Sequence, residues 1–244
     1  LSLSILHQDE HILVLNKPSG LAFLADRGGE TCLWDLLPTI TGKRKPLQVH
    51  RLDKGTSGVL LVALSPWAQS SLTRQLSERL VQKTYAAVCL GMWEHQQGVI
   101  DLPLRPGRKS RFRIAGPRES IRVTSNSFGI PVWSLPEEHI EKQRDIFESV
   151  TRFHVMEQRG GYSMLSLQPE TGRTHQLRVH LSWLGHAIVG DTLYGKPNSS
   201  EQKAERLMLH CARMTFTCEW LGTGEQLEIN APLPSDFRRI TVED

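Results

Sequence analysis

A chain of 244 residues, 39% hydrophobic and 23% charged, has the size to bury a substantial core and the composition of an ordinary soluble globular protein. Its longest apolar run, Val59 to Leu64, is six residues, far short of the roughly 20 that span a bilayer. No basic-then-apolar signal segment opens it, so a cytoplasmic location and no membrane partner are expected. The formal net charge is only +3, but the basic residues are clustered: Lys43, Arg44 and Lys45 are consecutive, and Arg105, Arg108, Lys109, Arg111 and Arg113 crowd together with Pro and Gly. Such runs are usually solvated surface. In a chain otherwise near neutrality, two of them fit a polyanion better than a small neutral substrate.

Taken in order, His11 to Leu15 reads as a short strand ending at the turn sequence Asn16-Lys17-Pro18-Ser19-Gly20. Residues 38–48 are polar and basic and read as a loop. Val59 to Leu64 has the length and aliphatic content of a strand buried on both faces. Ser65 is placed as an N-cap with Pro66 at the first helical position, and Ala68, Leu72, Leu76 and Leu80 recur every four residues, which predicts a helix over Pro66–Leu80. Thr84–Leu90 returns to strand composition. Between Gly98 and Glu148 repeated Gly and Pro break the pattern, predicting an irregular excursion with one or two short strands inside one domain; residues 109–148 stand out as a divergent insertion. Tyr162–Leu167 reads as a strand, Thr171–Leu184 as a helix with Leu177, Leu181 and Leu184 on one face, and Leu207–Cys218 and Gln226–Asn230 as late strands. Strands outnumber helices without regular alternation, which predicts an α+β fold with a mixed, mainly antiparallel sheet.

The four cysteines, Cys32, Cys89, Cys211 and Cys218, form no C-x-x-C pair, which argues against a structural zinc site or a disulfide framework. Among ten histidines, His175 and His180 are five apart rather than the four that align two imidazoles on a helix. No metal or other cofactor is expected.

Chemistry concentrates in His50-Arg51-Leu52-Asp53-Lys54-Gly55-Thr56-Ser57-Gly58. One carboxylate stands at the mouth of a buried strand, just before a turn-forming run, where a charge is unlikely unless paired or used. An Asp before Gly ordinarily just starts a turn. This nine-residue string, however, resembles the active-site signature of the RluA-type pseudouridine synthases, which isomerise uridine in structured RNA. A second string, Thr171-Gly172-Arg173-Thr174-His175-Gln176-Leu177-Arg178-Val179-His180, is similar to the second hallmark of that family. On a helix Arg178 shares the side of Leu181 and needs a carboxylate or a cleft for its five donors, while Arg173, Gln176 and His180 fall on a polar stripe.

The resemblance implies a pseudouridine synthase catalytic fold with a central cleft, no cofactor, and a tRNA or rRNA partner. It implies that Asp53 is the catalytic carboxylate, that Arg178 ion-pairs with it, and that Tyr85, in the K-x-Y element Lys83-Thr84-Tyr85, lies against the target base. Arg51, two residues before Asp53, is expected on the same side of an extended segment, filling space left by a flipped base or holding its phosphate. His50, Thr56, Arg173, His175, Gln176 and Lys17 are expected at RNA, and Leu209, in Leu207-Met208-Leu209-His210-Cys211-Ala212, against the base pocket. Cys211 is there either an insertion or a replacement of the family's alanine. Gly190-Asp191-Thr192-Leu193-Tyr194-Gly195 is similar to the family's G-D-x-x-Y-G turn. The N-terminal S4-type RNA-binding domain of many relatives is not expected here, and the protein is expected to act as a monomer. Two other readings compete: a non-catalytic RNA-binding module of the same fold, and a nucleoside or glycoside hydrolase using Asp53 on a small substrate.

Overall fold

The computed structural model describes residues 3–25, 29, 31–42, 45–108, 111–142, 144–195 and 204–237; Lys43, Arg44 and Lys109 of the two basic runs lie outside them. The chain opens with a hairpin of β1 (Ser4–Gln8) and β2 (Ile12–Lys17). Asp9 closes it, its Oδ1 accepting the backbone N–H groups of His11 and Ile12 at 2.7 Å each. Residues 38–41, expected as loop, complete a helix, α1 (Leu33–Thr41). Asp35 starts it by accepting from the Cys32 backbone N–H at 3.1 Å, and Leu33, Leu37 and Thr41 are buried one turn apart. Pro38 inside the helix forfeits one backbone bond, which is why the segment did not read as helical.

After β3 (Leu47–Gln48), β4 (Ser57–Ala63) is buried at every residue. At about 1.5–3 kcal/mol for each fully buried aliphatic side chain, Val59–Val62 anchor the local core. Next, α2 (Pro66–Ser77) begins as expected, the Ser65 hydroxyl accepting from the Ala68 N–H at 3.3 Å. It stops three residues early. Arg79 adopts φ +63°, the Leu80 N–H bonds the Gln75 carbonyl and the Arg79 N–H bonds that of Leu76. This pair of hydrogen bonds around a left-handed residue ends a helix, so the fourth member of the repeat, Leu80, falls beyond the cap and is exposed.

The segment expected to be irregular holds five strands. After β5 (Gln82–Leu90) come β6 (Gln97–Asp101), β7 (Leu104–Pro106), β8 (Phe112–Ile114), β9 (Arg122–Ser125) and β10 (Pro131–Ser134). Glycines that read as breakers are places of close approach. A Cβ on Gly98 would stand 2.3 Å from the Trp133 ring and 2.8 Å from that of Phe153, and one on Gly116 would stand 2.7 Å from the His139 carbonyl oxygen. The chain then forms β11 (Val150–Arg159), which the sequence reading did not anticipate, and β12 (Tyr162–Pro169). Helix α3 (Gln176–Trp183) starts five residues later than expected, because His175 takes φ +58° immediately before it. β13 (Leu209–Thr217) and β14 (Gln226–Asn230) close the order.

The described residues form two compact units, one from those up to Thr84 with Leu209–Leu233, the other from Tyr85–Met208 with those from Pro234. In the first, the strands run β1-β2-β4-β13-β14, with β3 also on β4. β4 pairs antiparallel with β2 and parallel with β13. In the second, the order is β5-β12-β11-β6-β10-β9, antiparallel except where β10 meets β6, and β7–β8 make a separate hairpin. The α+β class with a mixed, mainly antiparallel sheet is as expected.

Candidate active site

In the first unit the segment leading into β4 carries Asp53. His50 is not a surface cation. Its Nε2 accepts the Leu61 backbone N–H at 3.0 Å, which only a neutral imidazole can do, and burial followed by the charge of Lys83 lowers its pKa to about 3. Arg51 is exposed, Leu52 buried and Asp53 half-buried, the alternation expected if Arg51 and Asp53 project opposite to Leu52. A turn follows, closed by the Thr56 N–H on the Asp53 carbonyl at 3.1 Å. Thr56 itself is 2% exposed, so its side chain is not at a surface that RNA could touch.

The Asn16–Gly20 turn backs this loop. Lys17 is fully buried, and its ammonium donates to the carbonyls of Pro18 at 2.9 Å, Leu21 at 2.8 Å and Lys54 at 3.2 Å. The Gly20 N–H reaches the same Lys54 carbonyl, and the Ser19 hydroxyl donates to that of Gly55 at 2.6 Å. Lys17 therefore holds the residue after Asp53 in place, correcting its assignment as an RNA contact. Behind the loop, Gly58 lies against β13. A Cβ there would stand 2.1 Å from the Cys211 carbonyl oxygen, and φ is +108°. The pairs His210↔Ser57 and Cys211↔Gly58 hold β13 in register beside β4. Leu209 is buried at the start of β13, and buried His210 meets the Ser57 hydroxyl through Nδ1 at 2.9 Å.

In the second unit, Arg178 on α3 is held by Asp191 of the G-D-x-x-Y-G turn, Nε to Oδ2 at 2.8 Å and Nη2 to Oδ1 at 2.9 Å. Asp191 is 1% exposed. Burial pushes its carboxyl pKa up, but the hydrogen bonds and charge of Arg178 and the N–H groups of Tyr194 and Leu193 outweigh that and leave it lowered. The Arg178 guanidinium lies 5.2 Å over the Tyr194 ring, and the Tyr194 hydroxyl meets His175 Nδ1 at 2.9 Å and accepts the Phe112 N–H at 2.9 Å. Gly190 allows this turn to close: a Cβ there would stand 1.9 Å from the Arg206 carbonyl oxygen.

The polar stripe expected of Arg173, Gln176 and His180 is not one surface. Gln176 is 3% exposed; its Oε1 accepts from the Thr171 hydroxyl and the Arg173 N–H, and its Nε2 donates to the Val150 carbonyl and Thr151 Oγ1. With all four bonds spent inside the fold, Gln176 ties α3 to β11 and has none left for RNA. His180 is fully buried. Its Nε2 faces the Leu102 carbonyl at 3.0 Å, so that nitrogen carries the proton, and Nδ1 meets Thr151 Oγ1 at 3.0 Å; burial lowers its pKa to about 4. Arg173 is exposed, its Nε on the Glu148 carbonyl at 3.0 Å and its guanidinium 5.5 Å over the Phe147 ring. Tyr85, on β5 opposite Leu167, is half-buried.

Asp191, Tyr194 and Ser57 were not picked out by the sequence reading, although Asp191 and Tyr194 lie in a turn it quoted. Among the described residues, no group of three or more His, Cys, Asp or Glu side chains is placed to hold a metal ion, and no helix is long and apolar enough to cross a membrane.

A profile of the family described as "RNA pseudouridylate synthase" matches residues 11–183. The chain belongs to that family. Its function class is that of an RNA pseudouridine synthase, an isomerase. It is 38% identical over 241 residues to a Pasteurella multocida protein named ribosomal large subunit pseudouridine synthase C, covering 97% of this chain and 66% of that one. It is 33% identical over 248 residues to a Bacillus subtilis protein named an uncharacterized RNA pseudouridine synthase, covering 98% and 72%. Among solved structures it is similar to human RNA pseudouridylate synthase domain containing 4, with a TM-score of 0.76, 27% identity and coverage of 97% and 91%. The corresponding values for human RNA pseudouridylate synthase domain containing 1 are 0.73, 29%, 95% and 83%.

Proposed function

We propose that this synthase isomerises a uridine of large-subunit ribosomal RNA, with Asp53 as the catalytic carboxylate. The ribosomal substrate is supported by the name of the Pasteurella relative. In the reaction the N1–C1′ glycosidic bond breaks, the uracil turns, and C5 bonds to C1′; the C5 proton leaves and N1 takes one up. Nothing is oxidised and water is not consumed, so a carboxylate and a closed pocket suffice. The target nucleotide must leave its stack, at a cost of a few kcal/mol that backbone contacts offset.

The single observation that carries the role of Asp53 is the support built around it. The buried Lys17, the Ser19 hydroxyl and the Gly20 N–H, all from one turn, fix the carbonyls of Lys54 and Gly55, which orients the residue before them. Tyr85 is proposed against the base as a stacking face, Arg178 as a further catalytic residue, and Arg51 and Arg173 at phosphates. The reaction is proposed to take place in the cytoplasm, with the protein a monomer. Asp53→Asn should abolish tritium release from ribosomal RNA transcribed with 5-tritiated uridine, while affinity for that RNA stays within a few-fold. Retained release rules out Asp53; release from tRNA transcripts alone rules out the ribosomal substrate. RNA binding without any release by the unaltered protein is the result a non-catalytic module would give.

A further inference from the structure

Among the described residues, two that are not glycine take positive φ, Arg79 and His175. Arg79 closes α2, which accounts for it. His175, at φ +58° and ψ +16°, stands instead at the N-cap of α3. An N-cap residue ordinarily has extended backbone and lends a side-chain oxygen to the first N–H groups of its helix. His175 does neither: its backbone is left-handed, and its side chain makes no capping bond. Left-handed backbone is costly for a residue with a Cβ, and such strain persists where the surrounding structure enforces it, often at functional sites.

Here the strained turn aims the imidazole. The Gln176 N–H bonds the Arg173 carbonyl at 3.1 Å as the chain enters α3. His175 Nδ1 then lies 2.9 Å from the Tyr194 hydroxyl, the two rings edge to face with centroids 5.5 Å apart. The Tyr194 backbone is held separately, its N–H on Asp191 Oδ1 at 3.0 Å and its carbonyl accepting from the Ser182 hydroxyl at 2.7 Å. Its ring can still turn about the side-chain bonds, and it is the hydroxyl that His175 and the Phe112 N–H pin from two directions.

That ring is one wall of the seat of Arg178, whose guanidinium lies 5.2 Å from its centroid. Asp191 takes one edge of the fork, through Nε and Nη2. Two bonds along one edge fix where a guanidinium lies but do not stop it tilting about that edge; an aromatic face beneath it does.

We propose that His175 is a positioning residue for the isomerisation, not the RNA contact expected of it: through the Tyr194 hydroxyl it fixes the ring against which Arg178 is held, and its strained backbone is retained for that contact. This rests on the reading of the chain as a synthase in which Arg178 is catalytic. Asparagine is the informative replacement. It tolerates left-handed backbone, and its amide hangs from Cγ as Nδ1 does, so it can meet the hydroxyl at the same place, yet it has nothing where Nε2 stands.

The test uses the whole chain and measures kcat and KM for tritium release from a 5-tritiated large-subunit ribosomal RNA transcript. Glycine suits the backbone of residue 175, and circular dichroism checks that each variant is folded. His175→Gly should lower kcat by about 10–100-fold, with KM within about threefold. Tyr194→Phe, which keeps the ring and its packing, should do the same independently. The double variant should be no slower than the slower single one, because both changes break one contact. His175→Asn should stay within about threefold of the unaltered kcat. Full activity in His175→Gly, losses that multiply in the double variant, or His175→Asn as slow as His175→Gly overturns the proposal. A raised KM with kcat kept would make His175 an RNA contact and overturns it too. The Nε–H signal of Arg178 in arginine-labelled protein, assigned by its loss in Arg178→Lys, is a readout independent of activity. If the unaltered protein releases no tritium, the synthase reading fails and this signal decides the positioning. A signal broadened or moved by His175→Gly and Tyr194→Phe but kept in His175→Asn upholds it; one unmoved by all three overturns it.

Discussion

Replacing Asp191 tests how the second unit holds Arg178. The pair is almost wholly out of water, the two side chains being 10% and 1% exposed, and removing one partner from a buried ion pair costs about 3–5 kcal/mol. Asp191 Oδ1 also accepts the backbone N–H groups of Leu193 and Tyr194 at 2.9 and 3.0 Å, each worth about 1 kcal/mol net. These contributions are not additive, but together Asp191→Ala should consume a third or more of a typical domain stability of about 5–15 kcal/mol. Asp191→Asn keeps an oxygen for the two N–H groups and loses the charge, so its cost should be about 1.5–3 kcal/mol. Urea unfolding followed by hydrogen exchange of the β12 and α3 amides gives both values, with the midpoint moving at constant slope. The pH dependence has a definite sign. The folded pKa of Asp191 is lowered, so its contribution is present above the unfolded value of 3.8 and is lost as pH falls through the folded one. If Asp191→Ala costs less than about 1 kcal/mol, the fork seen here is not what fixes Arg178, and the reasoning fails.

Three further outcomes follow from the same kind of accounting. Gly58→Ala should prevent the first unit from folding, because the added Cβ meets backbone 2.1 Å away at φ +108°; a soluble variant with an unchanged thermal midpoint would show that β13 does not lie there. Lys17→Met should lower the thermal midpoint and tritium release together, since three carbonyls each lose a donor, and should leave the salt slope of RNA binding unchanged, whereas loss of a phosphate contact would flatten it. His50 and His180, with pKa values lowered by burial to about 3 and about 4, are neutral when folded and protonate near 6.5 when unfolded. Stability should therefore fall as pH drops below that value toward 4, and urea midpoints for His180→Gln should fall less steeply over the same range.

How far the fold could be read from sequence depended on whether a signal was local. β4 was legible because six aliphatic residues in a row need no partner to announce a buried strand. β14 was legible to the residue, and α2 at its start, where Ser65 and Pro66 act within one turn. Its end was not, because a left-handed Arg79 carries no mark in the sequence. β11 had a readable mark that went unused: Thr151, Phe153 and Val155 are buried and alternate with exposed Arg152, His154 and Met156. β6 was hidden by Gly98, which looks like a breaker until Trp133 and Phe153 are seen filling the space above it. The α+β class survived these errors because it depends on the count and order of elements, not on their ends.

At the candidate site the misreadings share one cause. Lys17, Thr56, Gln176 and His50 stand in strings that carry chemistry, and polar side chains in such strings look like ligand contacts. Whether a polar group is available depends on bonds closed by residues far along the chain, and sequence spacing does not record them. Gln176 is consumed by Val150 and Thr151, 26 and 25 residues away, and Lys17 by the carbonyl of Lys54, 37 residues away. Arg178 meets Asp191 thirteen residues on, across the turn after α3. The two strings thus mix groups proposed to face the substrate with groups that hold them still, and the second kind matters because a constellation half an ångström too loose loses activity. That mixture explains why strings so short identify a fold so well. A residue that only supports is as constrained as one that reacts, because each supporting bond here ends on backbone or on another buried polar group that water cannot replace.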